Sequence, residues 1–104
     1  MPARLTVVDF RQLVGTKFRV TVVAPEPLEL ELLKVQGYEP QENEGREMER
    51  YSLFFNGPGH MFLQQGTYPL EHPSMGEMQL FIVPIGRDER GFQYEVIFNY
   101  FRDK

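Results

Sequence analysis

A chain of 104 residues is the size of one domain with one core, and 41% hydrophobic with 25% charged residues is ordinary for a globular fold, which excludes wholesale disorder. The absence of cysteine excludes disulfide scaffolds, thiolate metal sites and cysteine nucleophiles together. The net charge of −4 is spread as +3 over residues 1–25, −6 over 26–49 and −1 over 50–104, with no clustered cations to hold phosphate, so neither nucleic acid nor an anionic membrane is expected as a partner.

The opening MPARLTVVDFRQLVG has no apolar stretch of signal-peptide length, and the longest apolar run, LFIVPI, is too short to cross a bilayer. A cytoplasmic location is the expectation. LTVVDF reads as a helix start, with Thr6 as N-cap, Asp9 three residues on, and Leu5 and Phe10 placed for a hydrophobic staple. Gly15 supplies the stop after about two turns.

From Thr16 the period becomes two. In TKFRVTVV, Phe18, Val20 and Val22 share one face and Lys17, Arg19 and Thr21 the other, the pattern of a half-buried strand. LELELLKV resumes the alternation after Pro25 and Pro27, then slips phase at Leu33 and Val35, which predicts a bulge; the two strands form a hairpin. Residues 36–50 lack an apolar period and carry six charges in their last nine positions, so a long exposed loop is predicted there. YSLFF returns to strand, and NGPG at 56–59 ends it. GTYPLEH, GEMQLFIVPIG and GFQYEVIFNYF, separated by PSMG and RDERG, make a three-strand meander, with Pro69 and Pro84 marking an edge or a bulge. The sum is a single mainly β domain over 1–104: about six antiparallel strands in a sandwich or small barrel, with one short N-terminal helix.

Chemistry is sparse. Glu71 and His72 are neighbours on a strand, so their side chains point to opposite faces and do not form a hydrogen-bonded dyad. Pro73 holds His72 extended at a turn, which makes a structural bond from His72 or Glu71 to turn amides the expected role. His60 follows NGPG in a loop with no partners at metal-ligand spacing, so no metal or cofactor is expected. Ser52 and Ser74 stand outside any nucleophile motif, and NGPG lacks the ending of a phosphate loop; the chain reads as non-enzymatic. RGFQYEVIF partly matches the aromatic strand of RNA-recognition domains, but Glu95 would repel phosphate on the strand that should meet it. Phe92, Tyr94, Val96, Phe98 and Tyr100 read instead as one core-facing stripe.

The informative feature is a surplus. In EMQLFIVPI, Met78, Leu80 and Ile82 form one apolar face, yet Phe81, Val83 and Ile85 form another, and Ile97 and Phe101 lie opposite the main stripe of the last strand. Either the N-terminal helix, through Leu5, Phe10 and Leu13, covers this second face, or another protein subunit does.

Residues Leu5 to Phe98 resemble an uncharacterised family of small bacterial proteins. The resemblance rests on Leu5-Thr6, Asp9-Phe10, Leu13-Val14-Gly15, Phe18 and Val20, then Gly66-Thr67-Tyr68, Leu70-Glu71-His72-Pro73, Gly76, Leu80-Phe81, Val83-Pro84, Gly86-Arg87-Asp88, Gly91, Tyr94-Glu95 and Phe98-Asn99. It implies no established activity. It does imply an accessory role, since such proteins are often encoded near tail-collar-domain proteins related to phage tail fibres. Within that pattern Arg87 is expected to pair with Asp88 or Glu95 and lock a turn.

The leading expectation is therefore a protein-interaction domain working through Phe81, Val83, Ile85, Ile97 and Phe101, with itself or a tail-like protein as partner. The alternative is a small-ligand-binding barrel whose mouth carries His60, Glu71, His72 and Arg87, above a cavity lined by aromatics of YSLFF and the last strand.

Overall fold

The computed structural model describes residues 7–21, 28–37 and 47–102, and the side chains of 9–21, 28–37 and 51–98. Thr6 and Leu5, the predicted cap and staple, lie outside them. A single turn of helix, α1 (Val7–Arg11), precedes six strands: β1 (Lys17–Val20), β2 (Leu28–Gly37), β3 (Glu47–Gly57), β4 (Gly66–His72), β5 (Gly76–Asp88) and β6 (Gly91–Arg102). All pair antiparallel in one sheet that closes as a barrel in the order β1-β2-β3-β6-β5-β4, so of the two predicted architectures the chain adopts the barrel. Closure falls on the β1–β4 seam, where only Arg19↔Glu71 and Val20↔Leu70 are in register.

The two phase irregularities predicted from sequence are present. The β2–β3 register shifts between Leu32 and Lys34, and the β5–β6 register shifts between Pro84 and Gly86. At the second, Ile85 and Gly86 stand against Gln93, a bulge that absorbs the donor missing at Pro84. Pro69 escapes the same difficulty by position: its carbonyl faces β1, accepting from Thr21 N at 3.3 Å, and its donorless nitrogen faces that same thinly paired side.

The predicted loop over 36–50 is shorter than its composition indicated. β2 continues through Gly37, and β3 begins at Glu47, pairing Glu47–Arg50 with Arg102–Asn99. Charge disguised 47–50 as loop, because Glu47, Met48, Glu49 and Arg50 show no apolar alternation in the sequence.

Inside, the period-two pattern is fully used. Phe18, Val20, Leu28, Leu30, Leu32, Tyr51, Leu53, Phe55, Leu70, Leu80, Ile82, Tyr94 and Val96 all turn inward and are buried. Removing each from water stabilises the fold by about 1.5–3 kcal/mol. Phe10 closes one end: its ring centroid lies 5.5 Å from Phe98, 6.1 Å from Tyr51 and 6.4 Å from Phe18. The segment between β3 and β4 closes the other, where buried Leu63 donates its backbone N–H to the Tyr94 hydroxyl at 3.0 Å. Burial pushes the Tyr94 phenol above its ordinary pKa. Tyr94→Phe is expected to cost about 1–3 kcal/mol, because the Leu63 amide is left unsatisfied in the interior. Urea denaturation checks it: the midpoint falls while the slope stays fixed.

No helix of the described residues is long and apolar enough to cross a membrane.

Candidate functional site

The second apolar face of β5 exists, and the N-terminal helix does not cover it. Phe10 is spent inside the barrel end, leaving Phe81 at 50%, Ile85 at 49% and Ile97 at 56% exposure on the outer wall. Val83 beside them is half-buried, while Phe101 pairs with Met48 through its backbone and its side chain lies outside the described residues. The register shows how the wall is built. Val83 faces Glu95, Glu95 faces Phe54 and Phe54 faces Lys34, one outward row across β5, β6, β3 and β2. Phe54 is a member of this surface that the sequence reading assigned to a cavity. The Lys34 ammonium lies 5.1 Å from its ring centroid, a cation–π contact that covers part of the ring. Glu95 interrupts the apolar surface, but one of its oxygens accepts from the buried Ser52 hydroxyl at 2.8 Å, which ties it to the wall.

The β5–β6 turn carries a polar lattice. Gln93 Nε2 donates to Asn56 Oδ1 at 2.6 Å and to Asp88 Oδ1 at 3.1 Å, and Asn56 Nδ2 donates to Arg90 O at 3.2 Å. Asp88 accepts the Arg90 amide at 2.8 Å, and that bond, first among the causes, holds its carboxyl below the usual pKa. The cation that pairs with Asp88 is Arg90, at 3.9 Å, and not Arg87. Arg87 instead lays its guanidinium 5.1 Å from the Phe92 centroid, and the Phe62 ring packs edge-on to Phe92 at 5.0 Å. Strand alternation explains the exchange: Arg87 is opposite Phe92 in register, whereas Arg90 sits in the turn itself.

His72 ends β4 pointing inward, buried, with its ring 4.6 Å from Phe18. Its Nδ1 accepts the Ser74 amide at 3.0 Å, which assigns the proton of the neutral ring to Nε2, 2.9 Å from Thr16 Oγ1. Thr16 Oγ1 in turn donates to Leu13 O at 2.6 Å. Glu71 points the other way, as adjacent strand positions must, and faces Arg19 across the seam and Glu77 across the hairpin. The predicted structural role of His72, bonding a turn amide, is what the geometry contains; its reach to Thr16 is additional.

Space for a small ligand lies outside the barrel. Two grooves flank β1: one of about 670 Å³ bordered by Lys17, Arg19, Glu31, Asn56 and His60, and one of about 690 Å³ bordered by Arg19, Glu29, Glu71, His72 and Ser74. Their walls carry charges of both signs from β1, β2 and the β4–β5 hairpin and no aromatic residue but the histidines, while Phe55 and Tyr94, predicted to line a cavity, are packed in the core. His60 is exposed at the rim of the first groove. Among the described residues no three or more His, Asp or Glu side chains gather as a metal site would require.

No curated protein and no solved structure matches the chain. Residues 5–98 match the family model described as "Domain of unknown function (DUF6916)".

Proposed function

The chain belongs to that family of domains of unknown function, and from the geometry within it we propose a protein-interaction domain that docks a protein partner on the outer β5–β6 wall. The observation that carries this is the position of Phe81, Ile85 and Ile97. These are large apolar side chains, about half exposed, that turn away from a core already filled by the opposite face of the same strands. A barrel strand needs one apolar face; the second is unnecessary for folding and useful for association. Glu95 within this wall and Lys34 at the end of its row add the polar groups by which a docked surface is oriented.

The resemblance noted in the sequence supplies the class of partner: a structural protein of a phage-tail-like bacterial assembly, with this domain as an accessory part. Self-association through the same wall is the first form to test. Light scattering over a concentration series is expected to show the wild-type mass rising above that of one chain. Phe81→Glu combined with Ile97→Glu is expected to hold it at one chain with an unchanged β circular dichroism spectrum. Exposed substitutions of this kind shift stability by only about 0.5 kcal/mol. Unfolding of the double variant would reassign both side chains to the core and remove the proposal.

A further inference from the structure

We propose that His72 is a pH-sensitive latch across the β1–β4 seam, which opens when the imidazole takes a second proton. The seam is the least paired joint of the barrel, with two register pairs and the Thr21 N to Pro69 O bond above them. Below those pairs, among the described residues, the bond between His72 Nε2 and Thr16 Oγ1 ties the end of β4 to the entry of β1, beside the packing of the His72 ring on Phe18. Thr16 is itself anchored: its N and its Oγ1 both donate to Leu13 O, and its carbonyl accepts from Leu32 N at 3.0 Å. The latch therefore joins the β4–β5 hairpin to a segment held by bonds to Leu13, just after α1, and to Leu32 of β2.

A second proton has one place to go. Nε2 already carries a hydrogen, so the new one lands on Nδ1, which faces the Ser74 N–H at 3.0 Å. Two donors then oppose each other inside a buried contact. Relief comes when the ring leaves Phe18 for the groove beside it, and that movement breaks the bond to Thr16. The charged groups around this position are Lys17 and Arg19 of β1, Glu29 of β2, Glu71 of β4 and Glu77 of β5, which border the groove. Arg11 of α1 lies against Gly37, and Asp9 of α1 has its own partner. None of these bonds to either ring nitrogen, whose partners are Thr16 and Ser74.

Burial holds the His72 pKa below its ordinary 6.5. The folded protein thus binds fewer protons than the unfolded chain as the pH falls past that value. The latch is fully closed above about pH 6.5 and its contribution is lost as pH drops through the lower, folded value.

Nuclear magnetic resonance of the isotopically labelled full chain between pH 7.5 and 5 tests this. At neutral pH the imidazole nitrogens are expected to report the proton on Nε2. On acidification the Ser74 and Thr16 amides are expected to shift with the His72 midpoint, below 6.5, while protection of the seam amides of Arg19 and Thr21 falls. The loss is about tenfold for each unit by which the pKa is lowered. Thr16→Val keeps the backbone anchors and removes the hydroxyl; its seam protection is expected to be low already at neutral pH and insensitive to acid. A neutral ring protonated on Nδ1, seam amides that ignore the His72 titration, or a Thr16→Val seam with wild-type pH dependence would each overturn the latch.

Discussion

Gly91→Ala is expected not to accumulate as folded protein. Gly91 opens β6 at φ +130, a region closed to side-chain-bearing residues at a cost of about 1–3 kcal/mol. The larger obstacle is space. A Cβ there would fall on the carbonyl oxygen of Gly57, far inside any contact distance, and within 3.1 Å of Gly59 N. Both are backbone atoms of the turn that closes β3, where Gly57 lies so close to the Leu30 and Tyr94 side chains that it has no room for a Cβ of its own. Gly76→Ala is the control: its φ is +78 but nothing lies within 4 Å of the added Cβ, so only the conformational penalty of about 1–2 kcal/mol applies. Soluble expression and the thermal transition of the two variants separate them. A Gly91→Ala protein as stable as Gly76→Ala would show that the β3 and β5–β6 turns do not press together.

Phe10→Ala is expected to produce the second largest loss, about 3–5 kcal/mol. Phe10 is wholly buried although its helix is a single turn, too short to persist without the barrel. Its ring is shared among Phe18, Tyr51 and Phe98, so truncation opens the end of the core to a cavity that rigid strands do not collapse to fill. Against a total stability of about 5–15 kcal/mol this is a large fraction, and for a domain of this size the thermal midpoint is expected to fall by more than about 12 °C. A fall of only a few degrees would mean that α1 rests on the barrel without plugging it.

Both effects depend on contacts far apart in sequence, and that is where the sequence stopped being legible. Alternation in Phe18 and Val20, in Leu28 to Leu32 and in Tyr94 and Val96 reports buried faces, because side-chain direction follows from the strand period alone; Phe92 and Phe98 of the same stripe are half-buried, and the Tyr100 side chain lies outside the described residues. The bulges near Leu33 and Pro84 were legible for the same reason: each breaks a local rule. The choice of barrel over sandwich rests on Val20 meeting Leu70, which no local pattern encodes. The destination of Phe10 is not legible in the sequence, because an apolar residue on a short helix fits equally well over a sheet or inside a barrel end. Arg87 was given a carboxylate partner by proximity in sequence, where the register gives it an aromatic ring. His72 was recognised as a turn residue from Pro73, but its bond to Thr16 crosses 56 positions and left no mark in either segment.

The uneven stitching of the barrel also orders its assembly in time. β3 and β6 share eleven register pairs and β4 and β5 seven, whereas β1 and β4 share two. The β4–β5–β6 meander joins neighbours in sequence, so its loops close at little entropic cost, while the seam must bring together residues about fifty positions apart for a small return. On these grounds an open sheet is expected to form before the cylinder closes. During that interval β1 and β4 are free edges, and a neighbouring chain in the same state offers the complementary edge, so exchange of β1 between two molecules competes with closure whenever concentration is high.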